Sequence, residues 1–223
     1  MNPDAIVSAL VAVIIMLLVG FPIHEFLHAW TAYRLGDNTA RWQGRLTLDP
    51  RVHFDPVGGI MLVITAIISS GQFFFGYAKP TPVNPLNLNG GRRGEALVAA
   101  AGPLSNLVLA SLVAIPLRYI IHAPEILAPI TQSDLGFFAL EVALAFLTIN
   151  ILLFIFNLIP IPPLDGWAVL VGLVPAPLAY QLREFQNRYA AIIPVIFIAF
   201  VFIGGARIIG PILDAIRSFL LGI

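Results

Sequence analysis

The chain of 223 residues has no cysteine, and only 11% of its residues are charged. Without cysteine it can form no disulfide, offer no thiolate ligand to a metal and use no thiol as a nucleophile. A soluble domain carries roughly 25% charged residues, so the shortage of charge argues against one. The formal net charge is zero, which gives no indication of a nucleic-acid partner. The first residues contain no basic segment, so we expect no cleaved signal peptide.

Hydrophobic side chains are abundant instead. They make up 59% of the chain, and the mean hydropathy is +0.92. Several apolar runs approach the roughly 20 residues that a helix needs to cross a bilayer. The sequence therefore predicts an all-α polytopic membrane protein with about four transmembrane helices, at residues 5–35, 93–121, 135–159 and 189–221. We expect Gly20 and Pro22 to bend the first of these helices.

A fifth apolar stretch, residues 57–76, has two interpretations: a re-entrant hydrophobic hairpin or a full crossing. If the stretch enters and leaves on one side, most basic residues face a single compartment, with Arg118 and Arg217 on the other side. This distribution follows the positive-inside rule and favours the hairpin. The basic residues that then share a side are Arg34, Arg41, Arg45, Arg51, Lys79, Arg92, Arg93, Arg183 and Arg188.

The loop before this stretch contains an imperfect alternation of polar and apolar residues at 42–49. Alternation is typical of a strand, and we predict a short β segment at the membrane surface. An ordinary loop is the alternative.

The motif His24-Glu25-Phe26-Leu27-His28 lies at the end of the first apolar run. Positions i and i+4 share one face of a helix, so both histidines can bind one metal while Glu25 stands beside it as a base. Ionisable side chains are costly in or near lipid, which makes such a cluster a candidate functional site.

A catalytic zinc needs three protein ligands and an open position for water. The motif supplies two, and the candidates for the third are His53, Asp55, His122, Asp134, Asp165 and the remaining acidic residues. Asp165 is favoured, because it follows a segment with three prolines whose non-helical backbone is tolerated at membrane depth only beside a cavity. In the alternative, Asp165-Gly166 is simply a turn after a helix end.

The topology provides an independent argument for Asp165. If residues 57–76 form a hairpin, the first and third spans both end on the positive side, so Asp165 lies at the depth of His24 and His28. A full crossing would place Asp165 on the opposite side of the membrane.

The chain resembles the site-2 proteases, intramembrane zinc metalloproteases of regulated intramembrane proteolysis, over about residues 20–170. The similarity lies in the HEFLH motif at 24–28, in NLIPIPPLDG at 157–166, in AGPLSN at 101–106, and in the segments at 36–40, 44–50, 53–56 and 75–84. The resemblance implies that His24, His28 and Asp165 bind one zinc ion and that Glu25 activates water. It also implies that Asn106 and Asn157 bind substrate or support the site.

This resemblance predicts one membrane-embedded peptidase domain, residues 1–223. Its parts would be the metal-motif helix at 1–35, the strand-like loop and hairpin at 36–92, the second and third spans with the Leu-Asp-Gly motif at 93–170, and a C-terminal loop and span at 171–223. Neither a PDZ-like module nor a regulatory domain is expected.

The predicted function is zinc-dependent hydrolysis of peptide bonds in or near transmembrane segments of membrane proteins. The expected partners are such a substrate and the lipid bilayer. We expect a multi-pass protein of the cell membrane with its active site near the cytoplasmic side. The alternatives are a metal-binding membrane transporter and a non-proteolytic member of the same fold.

Overall fold

The computed structural model describes residues 3–68, 76–193, 195–196 and 206–223. Within these ranges the regular structure is helical. Three helical segments are long and apolar enough to cross a membrane: Val7–Arg34, Arg92–Ile121 and Asp134–Asn157. These correspond to the first three predicted spans. Residues 194 and 197–205 of the predicted fourth span lie outside the described residues.

The first span consists of α1 (Pro3–Ile15), a π-helical turn (Met16–Gly20) and α2 (Phe21–Arg34). Pro22 cannot donate a backbone hydrogen bond, and its ring would clash with the carbonyl four residues earlier in a regular helix. The wider π turn accommodates this irregularity, and it contains Gly20, one of the two residues at which the bend is predicted. A Cβ at Gly20 would overlap the end of the Met16 side chain, which would then have to adopt another rotamer.

Two single-turn helices, α3 (Thr39–Trp42) and α4 (Pro50–His53), follow α2. The β segment predicted at residues 42–49 is wrong, because turns and loop occupy this part of the described chain. The Arg45 N–H donates to the Ala40 carbonyl at 2.8 Å, and the Thr47 carbonyl bonds the His53 imidazole at 2.8 Å. These backbone groups are thus used locally, whereas a strand would need a neighbouring strand to pair with.

Helix α5 (Pro56–Ile68) begins the fifth apolar stretch. Asp55 caps it by accepting hydrogen bonds from the Val57 and Gly58 N–H groups, at 2.9 and 3.0 Å. Beyond the undescribed residues 69–75, Tyr77 lies so close to Gly58 that a side chain at Gly58 would overlap it. The Lys79 N–H donates to the His53 carbonyl at 2.8 Å. Residues 77–79 therefore lie beside the beginning of α5.

Helix α6 (Arg92–Ile121) is central to the fold and packs against α2, α8 and α9. The short α7 (Pro124–Gln132) connects it to α8 (Asp134–Asn157). One core joins α1 to α5 and α8 around Val13, Met16, Leu62 and Ile149. A second core, which includes Ala114, Leu117, Leu147 and Ile151, joins α6 to α8.

The C-terminal part contains α9 (Asp165–Leu173), α10 (Ala176–Arg188) and α11 (Ala206–Leu221). The Arg92 guanidinium donates to the carbonyls of Val171 and Val174, at 3.2 and 2.9 Å, and so fixes the end of α9 to the beginning of α6. Arg183 on α10 forms an ion pair with Glu95 on α6. These contacts hold α9, whose first residue is Asp165, against α6.

Candidate metal centre

The two motif histidines point from α2 toward α6 and are 8% and 7% exposed. Their positions four residues apart place both rings on one face of the helix. The Nε2 atoms of His24 and His28 are 3.0 Å apart. The predicted pairing of the motif histidines is therefore present in the folded chain.

Asp165 approaches the histidines from a different element, at the beginning of α9. The turns at 158–164 end α8 and bring the carboxylate to the first position of α9. Asp165 Oδ2 is 3.4 Å from His24 Nε2 and 3.4 Å from His28 Nε2. One ligand atom from each residue lies within 4.8 Å of the others, so the three can hold one metal ion.

The hydrogen bonds of His28 show which of its ring nitrogens is available to a metal. Nδ1 is 2.7 Å from the Val98 carbonyl oxygen, which can only accept, so Nδ1 must carry a proton. In the neutral ring, Nε2 then presents a lone pair toward the Asp165 carboxylate. Lone pairs and a carboxylate that converge in a buried site repel one another unless a cation lies between them. Two imidazole nitrogens and one carboxylate oxygen also match the donors that zinc binds in catalytic sites.

Glu25, the predicted base, is 8% exposed. Its Oε2 accepts a hydrogen bond from the Thr81 N–H at 2.8 Å, and its backbone carbonyl accepts one from the Thr81 hydroxyl at 3.0 Å. Pro80 and Pro82 have no N–H group, so Thr81 provides the only backbone donor of this three-residue segment. The segment at 75–84 belongs to the family resemblance, but no role was predicted for its Pro-Thr-Pro pattern.

Gly102 on α6 allows the close approach of α6 to the metal motif. A Cβ atom at this position would overlap the His28 ring and lie 2.6 Å from His24 Nε2. The glycine of the predicted Ala-Gly-Pro segment thus leaves room for the ligands.

A cavity of about 510 Å³ opens beside the three candidate ligands. Its lining includes Glu25, Thr81, Glu95 and Asn157. The Asn157 amide donates to the Leu153 carbonyl at 3.0 Å, which directs this side chain along the last turn of α8. The arrangement has space for a peptide segment next to the metal ligands.

The other sequence candidates for a metal ligand lie elsewhere. His53 is fully buried and bonds the Thr47 carbonyl. Asp55 caps α5, as described above, and Asp134 begins α8. His122 lies at the other end of α6, where Nε2 is 3.2 Å from the Gly222 carbonyl. Among the described residues, Asp165 is the candidate that the structure brings to the histidines.

Asn106 contacts His24, one of the candidate metal ligands, and is not among the residues that line the cavity. Its Oδ1 is 2.6 Å from His24 Nδ1, and its amide donates to Asn150 Oδ1 at 3.1 Å. The sequence prediction left open whether Asn106 binds substrate or supports the site, and these contacts are with protein side chains. No role at the site was predicted for Asn150.

A candidate metal-binding group beside a buried glutamate, in a chain with three apolar helices of membrane length, is typical of a membrane metalloprotease. Comparisons with known proteins agree. The profile of peptidase family M50 matches residues 12–203. The protein of Bacillus subtilis named "Putative zinc metalloprotease YwhC" is 36% identical over 210 residues, which are 93% of this chain and 88% of that protein. Three quarters of the chain, 76%, is 37% identical to "Putative zinc metalloprotease Rip2" of Mycobacterium tuberculosis.

The chain therefore belongs to peptidase family M50, the site-2 protease family, and is a zinc metalloprotease. This confirms the resemblance found in the sequence. The aligned part covers 60% of the length of Rip2. No solved structure matches the chain.

Proposed function

We propose that this protein is an intramembrane endopeptidase that hydrolyses peptide bonds in or near transmembrane segments of other membrane proteins, as in regulated intramembrane proteolysis. The observation that carries the proposal is the position of the motif. His24, Glu25 and His28 belong to a segment of 28 residues that is apolar and long enough to cross a bilayer. A peptide bond that reaches this site comes from a chain at the same membrane.

In this proposal His24, His28 and Asp165 hold one zinc ion, which supplies Lewis-acid chemistry by polarising the scissile carbonyl and making water more acidic. Glu25 accepts a proton from the attacking water and transfers it to the nitrogen of the leaving amine. Thr81 keeps the Glu25 carboxylate aimed into the cavity. Asn157, on the cavity wall, is suited to bond the backbone of a bound peptide.

The substrate must be extended where it is cut. Carbonyls within a helix are hydrogen-bonded and surrounded by the helix, so they are inaccessible to a nucleophile. The cavity of about 510 Å³ beside Asp165 and Glu25 is large enough for a few residues of unwound chain. We propose that local unwinding of the transmembrane segment precedes hydrolysis.

For the topology we propose a multi-pass protein of the cell membrane with four spans, a re-entrant hairpin at residues 57–76 and the site near the cytoplasmic side. The contact of Tyr77 with Gly58 supports the hairpin, because the two ends of the stretch are adjacent. The basic residues that the hairpin places on one side support the cytoplasmic orientation.

The test is cleavage of a transmembrane substrate by the purified protein in detergent with zinc. We expect Glu25→Gln to abolish cleavage while zinc remains bound, because Glu25 does not ligate the metal. Cleavage by Glu25→Gln at the wild-type rate would contradict the proposed mechanism. Zinc flux into liposomes without any peptide hydrolysis would support a transporter instead, although three ligands gathered at one point do not form a path through a bilayer.

A further inference from the structure

A chain of hydrogen bonds leads from His24 into the interface of α6 and α8. His24 Nδ1 is 2.6 Å from Asn106 Oδ1, Asn106 Nδ2 donates to Asn150 Oδ1 at 3.1 Å, and Asn150 Nδ2 donates to the Phe146 carbonyl at 2.9 Å. Both asparagines are 0% exposed. A buried polar network is costly unless its members satisfy one another, and here each amide has partners on both sides.

The Phe146 carbonyl determines which group donates and which accepts in each of these hydrogen bonds. The Phe146 carbonyl can only accept a hydrogen bond, so Asn150 must face it with its NH2 group. Asn150 then presents its carbonyl oxygen to Asn106, so Asn106 must donate a hydrogen bond from its own NH2 group. The oxygen of Asn106 is left facing His24, so Nδ1 of His24 must carry the proton. The neutral ring consequently presents the lone pair of Nε2 to His28 and Asp165.

We propose that Asn150 is a positioning residue of the metal site, which acts through Asn106 to hold His24 in the tautomer that binds zinc. The inference rests on the zinc site of the proposed function. Residues that hydrogen-bond a metal-binding histidine fix its ring orientation and tautomer, and their loss commonly weakens metal binding 10- to 100-fold. Asn150 extends this support by one further side chain.

His24 and His28 differ in this respect. His28 is held by the backbone carbonyl of Val98, which cannot reverse its polarity. His24 is held by an amide side chain, which can rotate by half a turn and present NH2 in place of oxygen. Without Asn150, nothing in the chain of bonds determines the orientation of Asn106. A reversed Asn106 would favour the proton on Nε2 and remove the lone pair that the metal needs.

The experiment compares Asn150→Leu with Asn150→Asp in the detergent-purified full chain, with zinc affinity measured by competition with a chromogenic chelator. Leu has a similar size but offers Asn106 no acceptor, and we expect zinc binding to weaken roughly 10- to 100-fold. Asp faces Asn106 with an oxygen in either protonation state, so we expect affinity within about threefold of wild type, on the same reasoning. A packing role predicts the opposite order, because α8 would accept an apolar side chain more readily than a carboxylate.

A double-mutant cycle with Asn106→Leu tests the route through Asn106. If Asn150 acts only through Asn106, the double variant binds zinc no more weakly than Asn106→Leu alone, since coupled residues are not additive. Thr148→Val is the matched control, because it removes a hydrogen bond to Leu144 from the same helix outside the chain of amides. Its zinc affinity should equal that of wild type. The melting temperature of the metal-free variants reports whether each one is folded.

If Asn150→Leu does not fold, Asn150→Ala removes the same hydrogen bonds with less bulk. Wild-type zinc affinity in a folded Leu or Ala variant, or effects that multiply in the double variant, would overturn the proposal. Because zinc is titrated without substrate, a failure to cleave transmembrane segments would leave this result unchanged. The two proposals therefore fail separately.

Discussion

At the scale of single residues, the orientation of the proposed general base, Glu25, depends on one backbone N–H donor. Thr81 donates to the Glu25 carboxylate from between two prolines. A hydrogen bond to a charged group contributes about 1.5–3 kcal/mol. Glu25 carries out its proposed proton transfer only while its carboxylate points into the cavity, so this bond should affect the reaction more than the fold.

Thr81→Pro removes the N–H and suits an extended segment already flanked by prolines. We expect kcat to fall roughly 10- to 100-fold, as the loss of one charged hydrogen bond implies. Thr81→Ala, which keeps the N–H and loses the hydroxyl, should retain most of the activity, and both variants should bind zinc as wild type does. Equal kcat values for the two variants would show that the N–H does not orient Glu25.

Gly102 provides a second prediction at the residue scale. Gly102→Ala places a methyl group against the His28 ring, and we expect a large loss of bound zinc, measured by metal analysis of the purified protein. Gly210→Ala is the control, because a Cβ at this helical glycine meets open space. This variant should keep its zinc. Full zinc occupancy in Gly102→Ala would mean that α6 can move away from α2 at little cost.

At the scale of the elements, Asp37 connects the end of α2 to the loop that precedes α6. It is 0% exposed and accepts hydrogen bonds from Thr39, from the Asn84 N–H at 2.7 Å and from the Asn87 amide at 3.2 Å. Burial by itself would raise the pKa of Asp37, but the hydrogen bonds from Thr39, Asn84 and Asn87 together outweigh burial and lower it. The carboxylate form therefore holds the two loops together.

Asp37→Asn should lower the free energy of unfolding by about 1–3 kcal/mol at neutral pH, because an amide group replaces an acceptor oxygen. The folded-state pKa lies below the unfolded one, so the unfolded chain binds more protons and stability rises with pH in that range. The contribution of Asp37 is complete above the unfolded pKa and is lost as pH falls through the folded one. Thermal unfolding of wild type and Asp37→Asn in detergent at several acidic pH values measures this contribution. The same pH dependence of stability in both proteins would refute the role of Asp37.

The elements differ in how well the sequence predicted them. The second and third spans, expected at 93–121 and 135–159, are found at Arg92–Ile121 and Asp134–Asn157, because length and hydrophobicity suffice to identify a membrane helix. The strand at 42–49 was wrong. Alternation over eight residues indicates a strand only where a partner is available, and here Arg45 and His53 bond the nearby backbone instead.

At the scale of the whole molecule, the proposed topology requires residues 57–76 to begin and end on one side of the membrane. A chain without cysteine allows this to be tested with single cysteine variants, since every labelled thiol is then the introduced one. Arg51→Cys and Lys79→Cys lie before and after the stretch. His122→Cys lies at the opposite end of α6.

We expect a membrane-impermeant thiol reagent to label Arg51→Cys and Lys79→Cys from the cytoplasmic side and His122→Cys from the other side of intact membranes. A hairpin brings both ends of the stretch to one surface, as the contact of Tyr77 with Gly58 indicates. Labelling of Arg51→Cys and Lys79→Cys from opposite sides would show a full crossing and would contradict the proposed arrangement.

The sequence by itself determined the membrane class and the metal motif, because these depend on composition and on spacing along one helix. Its resemblance over about residues 20–170 indicated the family. It also favoured Asp165 as the third ligand, through the three prolines before it and through the depth that the hairpin interpretation gives it. Only the tertiary structure brought Asp165 to 3.4 Å from both histidines, placed Thr81, Val98 and Asn150 around the site, and showed which side chains Asn106 contacts. The physical reason is that a hydrogen bond between residues 44 to 82 positions apart depends on how helices pack, and helix packing leaves no periodic signal in the chain.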